Sequence, residues 1–288
     1  MKFYKYQGAG NDFLIADNRD GSITEKEGVL YSHVRGAEWS MPISDICDRR
    51  YGVGADGLML LEVGQDCDFR MTYFNSDGSG GMMCGNGGRC IVAFAADLGI
   101  THFDFFAADG FHSAEIVASS ENSKVVRLKM KDVLGLTRYD ALSGVAVNSK
   151  GCFLDTGTRH YVRFVEGLDK YDIVSEGREI RYNASELQPI GANVNFVQPS
   201  SGVLKVRTYE KGVEDETFAC GTGIVASCIA AYSEGVTPTY IYKEYGRVKY
   251  DVLAKRDSLS VDFIPSGSDC FSDVWLTGPA AYVAEINV

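Results

Sequence analysis

One short pattern occurs twice in this chain, and this repeat limits the possible folds more than any other feature. The first copy covers residues 71–75 and 83–91, and the second covers 207–211 and 219–226. A shift of 136 positions (220 − 84) places Thr72 on Thr208, Tyr73 on Tyr209, Cys84 on Cys220, Gly85 on Gly221 and Gly87 on Gly223. A glycine also follows each cysteine fifteen positions later. Each copy therefore predicts a strand, a loop, a helix that begins at Cys-Gly-x-Gly, and a glycine stop.

The start of each predicted helix combines an anion site with a reactive thiol. Gly-x-Gly lets the backbone approach a ligand closely, and the first N–H groups of a helix have no partner inside it. The helix dipole attracts an anion to these groups and favours the thiolate form of a cysteine at the same place. Two such helix starts in one chain suggest a carboxylate held between the thiols of Cys84 and Cys220.

A simpler interpretation is that each cysteine is a small buried residue of the core, as free cysteines often are. The repeat argues against it. Of the eight cysteines in the chain, only Cys84 and Cys220 share a flanking pattern at matched offsets.

Charge and composition exclude several partners and sites. The net charge is −11 without a basic run, which argues against nucleic acid and against anionic membranes. The N-terminus lacks the apolar run of a signal peptide, so we expect a cytoplasmic protein with reduced thiols. No Cys-x-x-Cys occurs and the four histidines are scattered, so no metal site is expected. The expected partner is a small molecule, and the sequence leaves a homodimer open.

Outside the repeats, the pattern predicts further elements. Residues 18–41 show little periodicity and predict an irregular loop, 42–50 predict a short helix, and 101–135 alternate as strands do. Residues 170–188 suggest a polar helix or a loop. The stretch 52–57 matches the dinucleotide fingerprint, but it lacks the strand before and the helix after it, so it indicates a glycine-rich turn.

The two helices of the repeats each show an apolar face with helical spacing. Expected buried residues are Ile91, Phe94, Ala95 and Leu98 on the first helix, and Val225, Cys228, Ile229 and Tyr232 on the second.

The chain resembles diaminopimelate epimerase over nearly its whole length. The matching stretches are 8–13, 50–57, 74–79 and 84–90, followed in the second half by 191–197, 209–213, 216–217, 219–223 and 276–280. The glycine turns alone are common, whereas the paired cysteine motifs are specific.

The resemblance implies an α+β fold of two pseudo-symmetric halves. Each half would be a strand-rich layer wrapped around a central helix, with the active site in the cleft between the halves. A small, polar stretch near 135–150 suggests the junction. The expected N-terminal half is 1–137, joined by the final strand 277–288, and the expected C-terminal half is 138–276.

The resemblance also implies inversion at one α-carbon of a diamino-dicarboxylic acid without a cofactor. Cys84 and Cys220 would be the two acid–base thiols. The other implied residues are His160 and Glu210 beside the thiols, Gly85, Asn86, Gly221 and Thr222 at the reacting carboxylate, and Asn11, Asn75, Asn193, Glu210 and Lys211 at other parts of the substrate.

Three features depart from the family pattern. Members often have Asn where Thr158 stands and Arg where Lys211 stands, and residues 20–41 are longer than expected. Arg grips a carboxylate with a planar fork, while Lys offers a point charge. The departures at Thr158 and Lys211 therefore concern how the distal end of the substrate would be bound.

Two other functions stay open on the sequence. A proline or hydroxyproline racemase also pairs two thiols, but the Asn set and the stretch 209–213 favour the epimerase. A thiol redox or ligand-binding protein would use the cysteines as a switch and would exchange no amino-acid proton.

Overall fold

The computed structural model describes residues 1–34, 37–267 and 269–288. The chain forms two compact units. Unit 1 is Met1–Leu128 with Gly278–Val288, and unit 2 is Lys129–Thr277. The structure therefore places the divisions after Leu128 and Thr277, where the sequence suggests them after residues 137 and 276.

Unit 1 is rich in strands. Its elements are β1 Lys2–Gly8, β2 Asn11–Asp17, β3 Ile23–Lys26, β4 Val29–Val34, β5 Ala37–Pro42, α1 Ile43–Cys47, β6 Gly57–Glu62, β7 Phe69–Asn75, α2 Gly85–Asp97, β8 Phe103–Ala107, β9 Gly110–Ser119 and β10 Ser123–Lys129. The last strand of the chain, β21 Cys270–Asn287, pairs with β1 through residues 281–287.

Unit 2 contains the remaining elements. They are β11 Val133–Leu134, β12 Thr137–Tyr139, β13 Gly151–Asp155, β14 Arg159–Phe164, α3 Ile173–Asn183, β15 Asn193–Ser200, β16 Val203–Glu210, β17 Asp215–Thr217, α4 Gly221–Ser233, β18 Tyr240–Tyr242, β19 Arg247–Leu253 and β20 Ser258–Pro265, with short 3-10 turns at Leu168–Lys170 and Ser185–Leu187.

The two units repeat one order of strands. In unit 1, β1 and β2 are antiparallel, β2 and β6 parallel, β6 and β7 antiparallel, β7 and β8 parallel, and β8 and β9 antiparallel. In unit 2, β13, β14, β15, β16, β19 and β20 pair in the same alternation. The expected pseudo-symmetry is confirmed, and each unit is a strand-rich sheet with few helices among the described residues.

The cysteine helices occupy equivalent places in this repeat. Helix α2 follows β7 and contacts β1, β2, β6 and β9, while α4 follows β17 and contacts β13, β14, β15, β16 and β20. Residues 85–95 of α2 and nearly all of 221–231 of α4 are buried. The burial therefore extends around both helices and is wider than one apolar face.

The last turns of these helices differ from the expectation. Leu98 is half-buried, and Tyr232 is 37% exposed, so the prediction of a buried Tyr232 is wrong. The ring of Tyr232 packs edge-on against Phe263 and Phe271. This position covers the apolar strands from outside instead of filling the core.

The prediction of an irregular loop over 18–41 is wrong for the described residues, 18–34 and 37–41, most of which lie in strands. The two positions between these ranges lie outside the described residues. Strands β3, β4 and β5 make a three-stranded antiparallel sheet, and its residues Ile23 and Leu30 are buried in the core of unit 1. The β3–β4 turn has positive φ at both Glu27 and Gly28, as a two-residue hairpin requires. Glu-Gly is a weaker turn signal than Asn-Gly, so the sequence pattern does not predict this hairpin.

Several other expectations are confirmed. The strands within 101–135 are β8 to β11, and the polar segment 170–188 contains helix α3. The stretch 52–57 follows helix α1 and leads into strand β6, the reverse of a dinucleotide-binding unit. The predicted helix 42–50 is shorter, Ile43–Cys47. Among the described residues, we find no helix of the length and apolarity needed to cross a membrane.

Candidate active site

Cys84 is the N-cap residue of helix α2. Its backbone is extended, with φ −107° and ψ 152°, and its Sγ accepts a hydrogen bond from the N–H of Gly87 at 3.2 Å. This N–H is one of the first-turn donors that lack a partner inside a helix. Hydrogen bonding and the helix dipole both favour a thiolate at this place.

A side chain at Gly87 would crowd this contact. A methyl group at Gly87 would lie 3.2 Å from Cys84 Sγ and 3.6 Å from both Met59 Sδ and Phe13 Cζ. Burial, and next the negative charge of a Cys84 thiolate, raise the pKa of Tyr73 above its ordinary value. Tyr73 therefore stays a neutral phenol.

The structure brings Asn11 and Asn86 together. Asn86 Nδ2 donates to Asn11 Oδ1 at 2.6 Å, and Asn11 Nδ2 donates to Asp56 Oδ2 at 3.0 Å. Arg89, which is fully buried, donates to Asn86 Oδ1 and to the carbonyl of Gly85, both at 2.9 Å. Two of the predicted substrate-binding amides are thus held in fixed orientations.

Asp56 and Arg89 are absent from the predicted set of site residues. Both lie inside matched motifs, at the end of the glycine turn and one turn into helix α2. A buried charge must be paired, so an arginine inside an otherwise apolar helix indicates in the sequence that Arg89 binds nearby polar groups. Asn75 ends strand β7, and its Nδ2 donates to Ser79 Oγ at 3.0 Å.

Cys220 is the N-cap residue of helix α4. Its φ is −106° and its ψ is 111°, and its side chain makes no capping hydrogen bond. Instead, Cys220 Sγ lies 3.4 Å from Thr222 Oγ1. Thr156 Oγ1 donates to the carbonyl of Thr222 at 3.0 Å and so supports the first turn of the helix. The two cysteines therefore share a backbone position but not the same hydrogen-bond donor.

His160 reaches Cys220 through Thr222. The ring is fully buried, and its Nε2 lies 2.9 Å from Thr158 Oγ1 and 3.0 Å from Thr222 Oγ1. Its Nδ1 lies 3.0 Å from Asn195 Nδ2. Burial lowers the pKa of His160 to about 3, so the ring is neutral at pH 7. The neutral ring is therefore connected to the thiol by hydrogen bonds through Thr222, and it carries no positive charge there.

Asn193, Glu210 and Lys211 lie around the end of strand β16. Asn193 Oδ1 accepts the N–H of Lys211 at 2.8 Å, and its Nδ2 donates to the carbonyl of Arg159 at 3.3 Å. Glu210 is the last residue of β16 and is half-buried, while Lys211 is exposed. Within unit 2, the fold thus gathers the predicted residues into two groups, one at Cys220 and one at Asn193.

Among the residues that the structure describes, no three His, Cys, Asp or Glu side chains are arranged to hold a metal ion. The functional groups described above are thiols, amides, hydroxyls and the N–H groups of helix starts.

The sequence model of the family described as diaminopimelate epimerase matches residues 3–126 and 152–258. The chain belongs to the diaminopimelate epimerase family. A member from Flavobacterium psychrophilum is 40% identical over 291 residues, which cover 100% of each chain. Another, from Aquifex aeolicus, is 37% identical and covers 99% of this chain and 96% of its own.

Solved structures with low sequence identity share the fold of this family member. The phenazine biosynthesis protein of the PhzF family from Bacillus anthracis has a TM-score of 0.68 at 15% identity, covering 100% of this chain and 98% of that one. A probable proline racemase from Agrobacterium radiobacter has a TM-score of 0.66 at 14% identity, with coverage of 100% and 92%. At these identities the likeness concerns the fold alone.

Proposed function

We propose that this family member interconverts LL- and meso-diaminopimelate by two-base proton transfer between thiols, without a cofactor. The reaction belongs to the biosynthesis of lysine and of cell-wall precursors. The observation that carries the proposal is the repeated helix start, with Cys84 and Cys220 as N-cap residues of equivalent helices. The relatives named above as diaminopimelate epimerases support the same substrate.

The chemistry requires two groups. An α-proton of an amino acid is weakly acidic, and inversion removes it from one face and returns a proton to the other. One thiolate acts as base and one thiol as acid, and the roles exchange in the reverse direction. Each sulfur must come within about 3–3.5 Å of its reacting atom. We assign these roles to Cys84 and Cys220.

The negative charge that develops after proton removal needs donors. The first N–H groups of helices α2 and α4 are suited to this, because they are oriented in advance and belong to the positive ends of the helix dipoles. We assign the reacting carboxylate to Gly85 and Asn86 on one helix and to Gly221 and Thr222 on the other.

The remaining predicted residues are assigned to the rest of the substrate. Asn11 and Asn193 keep N–H groups available beyond those in their hydrogen bonds, since an amide nitrogen carries two protons. Asn75 and Glu210 would complete the polar contacts. The exposed ammonium of Lys211 would attract the distal carboxylate.

The test is turnover of LL-diaminopimelate in deuterated water without pyridoxal phosphate. We expect product of inverted configuration that carries one solvent deuterium at the inverted α-carbon, measured by chiral separation and mass spectrometry. L-Proline under the same conditions should gain none. Strict dependence on pyridoxal phosphate, or exchange of proline alone, would overturn the proposal.

A further inference from the structure

A series of hydrogen bonds leads from the interior of unit 2 to Cys220. The distances are 2.9 Å from Thr208 Oγ1 to Asn195 Oδ1, 3.0 Å from Asn195 Nδ2 to His160 Nδ1, 3.0 Å from His160 Nε2 to Thr222 Oγ1, and 3.4 Å from Thr222 Oγ1 to Cys220 Sγ. We propose that Asn195 is a positioning residue that fixes the tautomer of His160, so that Thr222 hydrogen-bonds the Cys220 thiolate. This inference rests on the proposed function, in which Cys220 transfers a proton.

The orientation of the Asn195 amide decides which ring nitrogen carries the proton. Thr208 Oγ1 donates to the amide oxygen, which leaves the amide nitrogen facing His160 Nδ1. An amide nitrogen can only donate, so Nδ1 must accept. A neutral imidazole has one N–H, which then sits on Nε2. Burial keeps His160 neutral, in agreement with this assignment.

The position of the ring proton decides what Thr222 does. Nε2–H can donate to Thr222 Oγ1 at 3.0 Å or to Thr158 Oγ1 at 2.9 Å, and Thr158 Oγ1, 3.0 Å from the Thr222 oxygen, can in turn donate to that oxygen. By either route the Thr222 oxygen accepts a hydrogen bond. With its oxygen accepting, Thr222 has its own hydroxyl proton free to point at Cys220 Sγ. A hydroxyl donor stabilises a thiolate more than a thiol, because hydrogen bonds to ionised groups are the stronger ones. Asn195 thus acts on the thiol from two residues away.

The packing supports a fixed geometry for this series. Asn195, His160 and Thr208 are all buried, and the strand registers bring them together, since Asn195 lies opposite Thr208 and two residues from the partner of His160. A methyl group at Gly223 would lie 2.3 Å from Asn195 Oδ1, so the amide is closely confined. A fully satisfied buried network of this kind has one low-energy arrangement.

The first experiment needs no substrate. Long-range proton–nitrogen NMR of protein labelled with ¹⁵N-histidine resolves the four histidines and reports which ring nitrogen of each is protonated. Replacement of His160 assigns its signal. We expect His160 to be neutral with the proton on Nε2 at pH 7. A proton on Nδ1, or a charged ring, would overturn the proposal.

The second experiment uses Asn195→Asp. A carboxylate in this place accepts from the ring, so we expect the proton to move to Nδ1 and the Thr222 hydroxyl to turn toward Nε2. Cys220 then loses the hydrogen bond from Thr222. We expect kcat to fall about 10- to 100-fold, the value of one charge-assisted hydrogen bond, with KM within about threefold. The pKa of the Cys220 thiol, read from the pH dependence of its alkylation by iodoacetamide, should rise by about one unit, while that of Cys84 stays unchanged.

Ser227→Ala is the matched control. Ser227 is buried in helix α4 and donates to the carbonyl of Gly223 at 2.7 Å, a bond that is not part of the series from Thr208 to Cys220. We expect kcat within about twofold and an unchanged alkylation profile. Equal losses in both variants would show general loosening of the helix and reject a positioning role for Asn195. If instead the wild-type protein turned over no diaminopimelate, the proposed function would fail, while the NMR and alkylation results would still decide the hydrogen-bond series.

Discussion

Gly223→Ala tests how closely the second helix start is packed. An ideal methyl group at this position would lie 2.3 Å from Asn195 Oδ1 and 3.2 Å from His160 Cε1. Both neighbours are fully buried, and Asn195 is held by Thr208 and His160. Neither side chain has solvent to move into, so the methyl group must displace the amide or the helix.

Two effects of opposite sign determine the magnitude. Overpacking a closely packed interior costs about 1–3 kcal/mol of the free energy of unfolding. Alanine is better than glycine inside a helix by about 1 kcal/mol, which offsets part of this loss. We therefore expect Gly223→Ala to lower the free energy of unfolding by up to about 2 kcal/mol. The rate of epimerisation should also fall, and by more than the loss of folded protein accounts for, because a displaced Asn195 amide no longer holds His160.

The measurement is urea denaturation together with the initial rate of epimerisation. Gly80→Ala is the control, since an added methyl group there meets nothing within 4 Å and its φ lies outside the left-handed region. It should change the free energy of unfolding by no more than about 0.5 kcal/mol. A Gly223→Ala protein with the wild-type denaturation midpoint and turnover would refute the packing argument.

Three further predictions concern single side chains. Cys84→Ala or Cys220→Ala should each lower turnover by about 10²–10⁴-fold in the deuterium assay, while Cys47→Ala, a buried residue outside the site, should leave turnover near normal. Lys211→Ala should raise KM with little change in kcat, since the Lys211 side chain is exposed and its bond to Asn193 is made by the backbone N–H. Steady-state kinetics that showed a lower kcat and an unchanged KM would contradict this prediction. The pKa of His160 is about 3 when folded against an ordinary 6.5, so the folded state binds fewer protons and its stability should fall as pH drops from about 6.5 toward 3. Urea unfolding should show that the free energy of unfolding falls less between pH 7 and pH 5 in His160→Asn than in the wild-type protein. Equal losses in the two proteins would contradict a lowered pKa of His160 in the folded state.

The sequence predicts the two helix starts well because their signals are local. Cys-Gly-x-Gly places Cys84 and Cys220 at N-caps in both units, and the positions of the helices follow from the glycines around them. The three-stranded sheet of β3, β4 and β5 has no such local signal in the sequence. It depends on the Glu27–Gly28 turn and on burial of Ile23 and Leu30 against residues distant in sequence.

The network around His160 could not be predicted from local pattern either. Asn195 and Thr208 lie 35 and 48 positions after His160 (195 − 160 and 208 − 160), and only the registers of β14, β15 and β16 bring them together. A one-residue change of register would turn each side chain to the opposite face of the sheet. The alternating residues of β15 give no sign of which buried asparagine faces the histidine.

The repeat within the chain fixes the backbone of the two helix starts but not their chemistry. At matched positions, Asn86 in one helix corresponds to Thr222 in the other, and buried Arg89 corresponds to Val225. Cys84 consequently accepts from a backbone N–H, in a region that contains a buried guanidinium, whereas Cys220 lies beside a hydroxyl backed by a neutral histidine. Because these donors differ in charge and strength, the two thiols need not ionise equally. That inequality suits a two-base reaction, in which one sulfur must hold a proton while the other has lost it.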